Sequence, residues 1–123
     1  MTTGTVTADH EATVRLELVG PTGRNVEVEA VIDTGFSEYV TLPPDLAAAL
    51  EIELVGSTKM ELADGTITEM PAYRAVVLWD GVQRRVAAHG SPSEPLIGMS
   101  LLYGSRLTID VVDGGAVSIE PLA

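Results

Sequence analysis

The chain has 123 residues, enough for one domain with a hydrophobic core but too few for two domains of ordinary size. Hydrophobic residues make up 46% of it, which is unlike the composition of a disordered chain. A net charge of −11 argues against a nucleic-acid-binding surface, because phosphate binding needs clustered Lys and Arg. There is no cysteine, which excludes disulfides and a thiolate nucleophile.

The N-terminal segment and the hydropathy pattern predict the bounds of the domain in the chain and its location in the cell. No run of about 18 apolar residues exists, so we expect no membrane-spanning helix. Residues 1–10 have neither the basic segment nor the apolar stretch that is typical of a secretory signal. We therefore expect a cytoplasmic domain over residues 11–123, preceded by a flexible arm over residues 1–10, with neither membrane nor nucleic acid as a partner.

Short stretches that alternate apolar and polar residues predict strands, and Gly-rich turns separate them. Asp64-Gly65 and Asp80-Gly81 are the strongest of these turn signals, because Asp-Gly favours a tight hairpin. The predicted elements are hairpins over 14–30, 59–70 and 74–88, short helices over 43–50 and 99–103, and two closing strands over 106–112 and 116–119. Many short strands with only two brief helices indicate an all-β closed barrel.

One order of elements occurs twice: a hairpin, a pair of apolar residues, a glycine and a short helix. The apolar pairs are Val31-Ile32 and Leu96-Ile97. Asp-Thr-Gly at 33–35 follows the first pair, at the end of a strand predicted to be buried on both faces. A carboxylate there would lose solvation unless it were hydrogen-bonded or paired, which distinguishes Asp33 from the aspartates of the exposed hairpin turns.

The stretch 30–37, Ala-Val-Ile-Asp-Thr-Gly-Phe-Ser, resembles the active-site segment of retropepsin-like aspartic proteases. Thr-Leu-Pro-Pro at 41–44 resembles the bacterial branch of that family, and Pro-Leu-Ile-Gly-Met at 95–99 resembles its second signature. A hairpin lies between them in the position of the family's flap. The resemblance covers residues 14–119 and implies an acid-protease barrel that is active as a homodimer.

The resemblance also implies roles for individual residues. Asp33 would be the catalytic carboxylate, Thr34 would bond across a two-fold axis, and the backbone of Gly35 would hydrogen-bond the carboxylates. The residues that would support this loop are Phe36, Leu96, Ile97 and Gly98. The tip of the flap, which would close over a bound peptide, consists of Ala63, Asp64, Gly65 and Thr66.

The implied chemistry needs two carboxylates that share one proton, so that one pKa rises and the other falls. The chain has a single Asp-Thr-Gly, and a two-fold homodimer would place Asp33 beside its own copy. Asp110 is a less favoured partner within the chain, because no glycine-rich loop surrounds it. The mechanism needs no cofactor and no metal, and its other partner would be an extended peptide or protein substrate.

Phe36 departs from the retroviral pattern, which has a small residue after Asp-Thr-Gly. A bulky side chain there is expected to narrow the cleft or to change the approach of the catalytic water. A dimeric peptide- or protein-binding module of the same fold, with little or no proteolytic activity, is therefore the alternative. A purely structural dimerisation domain ranks third, because it would not need a buried carboxylate.

The remaining candidates for chemistry are isolated residues. His10 and His89 lack the spacing of metal ligands, so we expect them to face solvent and expect no metal site. Ser37 lacks the Gly-x-Ser-x-Gly context of a nucleophile elbow.

Overall fold

The computed structural model describes residues 1–123, which form ten strands and two short helices. The strands are β1 (Thr2–Val6), β2 (Ala12–Val19), β3 (Asn25–Ile32), β4 (Val40–Leu42), β5 (Glu53–Glu61), β6 (Ile67–Trp79), β7 (Val82–Gly90), β8 (Leu96–Ile97), β9 (Ser105–Ile109) and β10 (Ala116–Pro121). The helices are α1 (Pro44–Ala49) and α2 (Met99–Leu102). The prediction of an all-β chain with two short helices is confirmed.

All ten strands belong to one sheet, in the order β5-β6-β7-β4-β8-β3-β2-β1-β10-β9. An additional pairing between β6 and β2 closes six of these strands into a ring. One edge of β2 pairs with β3, and two strands share its other edge. On that edge residues 12–14 pair with β1, whereas residues 17–19 pair with β6. The predicted closed barrel is therefore correct, and β5 and β9 are left as the two outer strands.

The N-terminal residues correct one expectation. Residues 2–6 do not form an unpaired arm but the strand β1, which lies between β2 and β10. Gly4 explains how β1 fits there, because a Cβ at this position would lie only 1.9 Å from the Thr13 carbonyl oxygen. The backbones of β1 and β2 approach closely only because that position carries no side chain.

The two Asp-Gly hairpins share one long strand. β6 spans thirteen residues and pairs with β5 through one half and with β7 through the other. The β5–β6 hairpin turns at residues 62–66, which are exposed and are the segment that the sequence predicts to be a flap. Because β6 is continuous, this hairpin is attached directly to the barrel wall.

The hydrophobic core is a cluster of 21 buried hydrophobic residues, nearly all aliphatic. Leu16, Leu18, Val77 and Ile119 are among its fully buried members, and Trp79 is one of its two aromatic members. The hydrophobic effect of this burial supplies the main driving force for the fold. None of the helices is long and apolar enough to span a membrane.

Candidate active site

The loop that carries Asp-Thr-Gly begins where β3 ends. Val31 and Ile32 of β3 pair in parallel with Leu96 and Ile97 of β8, so the two apolar pairs of the repeated unit lie side by side. The Asp33 amide donates to the Ile97 carbonyl oxygen at 2.9 Å and extends this pairing into the loop. The position of Asp33 is therefore set by two short strands that come from distant parts of the chain.

Backbone hydrogen bonds within the loop orient the Asp33 carboxylate. The Gly35 amide donates to Asp33 Oδ1 at 2.9 Å, and the Phe36 amide donates to the Asp33 carbonyl oxygen at 3.1 Å. A Cβ at Gly35 would lie 3.2 Å from Asp33 Oδ1, so a side chain there would press on the carboxylate. Asp33 is half-buried, whereas Thr34 and Gly35 are exposed. The loop thus presents one oriented carboxylate at a surface.

Gly98 supports the loop from behind. Its amide donates to the Tyr39 carbonyl oxygen at 2.9 Å. A Cβ at Gly98 would lie 2.2 Å from the Glu38 carbonyl oxygen and 2.6 Å from Cδ2 of Phe36. These distances are shorter than any van der Waals contact, so a side chain at Gly98 would push the loop outward.

The start of α2 adds three further hydrogen bonds to the loop, one of them from the Ser100 amide to the Glu38 carbonyl oxygen at 3.2 Å. The Met99 amide donates to the Phe36 carbonyl oxygen at 2.8 Å, and the Ser100 hydroxyl donates to the Ser37 carbonyl oxygen at 2.6 Å. Sequence reasoning does not identify Ser100, because a serine in a short helix has no distinctive signal. Leu96 completes the support, since its amide donates to Thr41 Oγ1 at 3.0 Å.

The Phe36 ring packs towards these supporting elements. Besides Gly98 it contacts His89 edge to face, with ring centroids 6.3 Å apart and an interplanar angle of 78°. His89 is only 8% exposed, and neither of its ring nitrogens has a hydrogen-bond partner. The expectation that His89 faces solvent is therefore wrong. Its strand, β7, lies between β4 and β6, and Phe36 reaches the imidazole from the loop.

The predicted flap tip forms a compact turn. The Thr66 amide and hydroxyl both donate to Asp64 Oδ1, at 2.9 and 2.5 Å, and Gly65 between them has φ +85°. The hydrogen bond from the Thr66 hydroxyl lowers the pKa of Asp64 below its usual value, and the hydrogen bond from the Thr66 amide lowers it further. Ala63, like the rest of the tip, is exposed. No hydrogen bond or ion pair joins the tip to the Asp33 loop.

An acidic groove of about 270 Å³ lies beside the strand that leads into Asp33. Its walls include Val31 and Pro95 together with four acidic residues from three segments: Asp9, Glu11, Glu29 and Glu94. Burial raises the pKa of Glu11, and repulsion from the Glu94, Asp9 and Glu29 carboxylates raises it further. Sequence reasoning does not find this groove, because only the fold brings its segments together. No group of three or more His, Asp or Glu is placed to hold a metal ion.

Comparison with known proteins identifies the fold. No protein-family model and no curated protein matches the chain. Among solved structures, it is similar to a retropepsin-like aspartic protease from Rickettsia conorii, with 16% sequence identity and a TM-score of 0.58. The match covers 98% of this chain and 90% of that protein. This likeness extends over nearly the whole chain, and it shows that the fold is retropepsin-like.

Proposed function

We propose that this protein is a homodimeric aspartic endopeptidase, in which two Asp33 carboxylates, one from each copy, activate the water that hydrolyses a peptide bond. The observation that carries the proposal is the oriented Asp33 carboxylate, which lies in a glycine-containing loop at the surface of a retropepsin-like fold. The bond from the Gly35 amide and the support from Gly98 hold that carboxylate in one orientation before any substrate binds. Such preorganisation is what catalysis by charge and proton transfer requires.

The reaction needs both an acid and a base, and a pair of like carboxylates supplies them by sharing one proton. The ionised carboxylate removes a proton from water while the water oxygen attacks the carbonyl carbon. The protonated carboxylate donates its proton to the carbonyl oxygen, which gives a tetrahedral diol. The C–N bond then breaks as the nitrogen gains a proton and a diol hydroxyl loses one, and the dyad returns to its starting state.

The second carboxylate would come from a second copy. Asp110, the candidate within the chain, lies exposed at the end of β9, and no hydrogen bond connects its side chain to the Asp33 loop. Thr34 and Gly35 are exposed on either copy, so a two-fold contact could form at this loop without displacing packed side chains. A two-fold contact of this kind supplies the second aspartate without a second motif.

A peptide substrate would lie extended between the Asp33 loop and the β5–β6 hairpin. In this arrangement the hairpin tip, formed by Ala63, Asp64, Gly65 and Thr66, closes over the peptide as a flap. Main-chain hydrogen bonds would provide affinity, and alternate side chains would fill pockets on either side. The tip is exposed, and no hydrogen bond or ion pair ties it to the loop, so the hairpin would be free to close over a peptide.

The test is cleavage of a diverse peptide library by the wild type and by Asp33→Asn, from about pH 3 to about pH 8. Asp33→Asn removes both carboxylates of the homodimer, and loss of a single general acid or base typically costs about 10²–10⁴-fold in rate, so we expect a loss of at least that size. Asp110→Asn is the matched control, which we expect to cleave like the wild type. Activity that survives Asp33→Asn would disprove the mechanism. A folded dimer that binds peptides but cleaves none at any pH would instead identify a binding module.

A further inference from the structure

The strand β7 carries the one pair of adjacent cationic residues in the chain, Arg84 and Arg85. Successive side chains of a strand point to opposite faces of the sheet. Arg84 shares its face with Val86 and Ala88, which are buried in the core, whereas Arg85 belongs to the other face and is exposed. Arg84 itself is half-buried. Its positive charge therefore lies at the margin of the hydrophobic core.

Arg84 differs from the other cationic side chains because it is half-buried and yet has no ion-pair partner. Three of the seven cationic side chains form an ion pair with a glutamate: Arg15, Arg74 and Arg106. The others that lack one are exposed to water: Arg24, Lys59 and Arg85. The chain has 18 acidic residues, and none of them pairs with Arg84. A guanidinium stays charged and offers five N–H donors in a planar fork that matches a carboxylate.

A groove of about 380 Å³ lies beside Arg84. We call it the Arg84 groove, and its lining consists of Ser37, Tyr39, Arg84, Met99, Ser100 and Tyr103. None of these residues is acidic, so no charge within the lining neutralises the guanidinium. The hydroxyls of Ser37, Tyr39 and Tyr103 make no hydrogen bond within the chain. The lining therefore offers an anionic group one positive charge and several free hydrogen-bond donors.

The Arg84 groove begins where the Asp33 loop ends. Ser37 follows Asp33 by four residues, and its carbonyl oxygen accepts the hydrogen bond from the Ser100 hydroxyl, so the groove shares residues with the support of the loop. Four residues span at most about 14 Å, and an extended peptide advances about 3.4 Å per residue. When the scissile bond lies at Asp33, a side chain within about five residues of that bond can therefore reach the groove.

We propose that the Arg84 groove binds the carboxylate of an aspartate or glutamate side chain of the peptide substrate, within about five residues of the scissile bond. The inference rests on the proposed function and makes Arg84 a residue that determines substrate specificity. The guanidinium forms charge-assisted hydrogen bonds with the carboxylate, which are roughly twice as strong as hydrogen bonds between neutral groups. A peptide with a neutral side chain at that position leaves the cation without a partner.

The charge of the rest of the molecule makes this preference depend on position. A net charge of −11 repels an acidic peptide at long range. The acidic groove, which adjoins residues that precede Asp33, repels a carboxylate at short range. Of these two grooves, only the Arg84 groove compensates a negative charge. The substrate class is therefore a peptide with an acidic residue at a defined position, and not an acidic peptide in general.

A glutamate scan tests the proposal on the wild-type protein. The parent peptide is a substrate found in the library, with blocked ends and no charged side chain. Glutamate replaces each residue within about five of the scissile bond in turn, and matched peptides carry glutamine there. We expect glutamate to raise kcat/KM about tenfold over glutamine at one position, or at two positions equally distant from the scissile bond, because the homodimer has two such grooves. Elsewhere glutamate should have no effect or lower kcat/KM, and the preference should decrease at high salt.

Substitutions of Arg84 test whether this residue causes the preference. Arg84→Gln should abolish it, and Arg84→Glu should reverse it in favour of lysine at the same position. Arg84→Lys, which keeps the charge and most of the apolar stem, should retain part of it. Arg85→Gln is the matched control, because it removes the adjacent charge from the opposite face and should leave the preference intact. A preference that survives in Arg84→Gln, one that Arg85→Gln also loses, or a scan that favours glutamate nowhere would overturn the proposal.

Peptide binding to the Asp33→Asn protein separates this inference from the proposed function, because binding needs no cleavage. In fluorescence anisotropy we expect the glutamate peptide to bind about tenfold more tightly than its glutamine counterpart, and we expect Arg84→Gln to remove the difference. This preference in a protein whose wild type cleaves no peptide would support the groove and contradict the protease. Cleavage that depends on Asp33, without a glutamate preference that depends on Arg84, would support the protease and contradict the groove. A protein that neither cleaves nor binds the peptides would contradict both.

Discussion

His89 permits a prediction whose sign is opposite to that of most core substitutions. Its imidazole is buried against Phe36, and neither ring nitrogen has a hydrogen-bond partner. A buried polar group without a partner costs about 1–3 kcal/mol, because its hydrogen bonds to water are lost on folding and not replaced. His89→Phe removes the two nitrogens and keeps an aromatic ring against Phe36. We therefore expect the free energy of unfolding to rise by about 1–3 kcal/mol.

The assay is chemical denaturation at a fixed protein concentration, since dimerisation would itself add stability. A gain of 1 kcal/mol should raise the melting temperature by roughly 3–6 °C in a domain of this size. His89→Leu is a second variant that lacks the nitrogens and is less bulky than phenylalanine, in case the larger ring overpacks the site. His89→Ala should be destabilised, because it leaves a cavity beside Phe36. If the Phe and Leu variants are both less stable than the wild type, the imidazole has partners and the reasoning fails.

Two further predictions concern the support of the loop and the acidic groove. Gly98→Ala should lower the free energy of unfolding by about 1–3 kcal/mol in denaturation, because its Cβ would overlap the Glu38 carbonyl oxygen, and should reduce peptide cleavage by about 10²-fold through displacement of Asp33. A Gly98→Ala protein with wild-type stability and cleavage would contradict this account of the support. Glu11 has a raised pKa, so the folded state holds its proton more tightly and loses stability as the pH rises above the ordinary value of 4.5. Glu11→Gln should therefore be more stable than the wild type at pH 7 in thermal melts. This difference in stability should disappear below the ordinary pKa of 4.5, and a difference that does not change with pH would contradict the prediction.

Elements whose conformation follows from the preferences of their own residues are predictable from the sequence. Elements that form only by pairing with distant strands are not. The turns at Asp64-Gly65 and Asp80-Gly81 form as predicted, because Asp and Gly favour the backbone conformation of a tight hairpin. β1 lacks such a signal: it contains Gly4 and only one aliphatic residue, Val6. It is a strand because β2 and β10 both offer it an edge, and that information lies far away in the chain.

The same distinction applies to the candidate site. The loop at 33–35 and the glycine at 98 follow short motifs, so their proximity could be anticipated from the resemblance and from the repeated order of elements. The burial of His89 and its contact with Phe36 could not, because only the fold brings β7 and the Asp33 loop together. The acidic groove could not either, because its carboxylates come from three separate segments. Motifs predict which backbone segments meet, whereas side-chain environments follow from the packing that results.

Phe36 is the residue at which this difference matters most for function. From the sequence, its bulk is a reason to consider a binding module, because a large side chain after Asp-Thr-Gly is expected to narrow the cleft. In the structure its ring packs on Gly98 and on His89. The missing Cβ at Gly98 makes room for the ring, and the ring covers the imidazole, so the three residues form one packing unit. A small residue at position 36 would leave a cavity beside His89 and would loosen the loop that orients Asp33. The bulk of Phe36 therefore supports the loop from within, and the choice between protease and binding module depends on the Asp33 carboxylate itself.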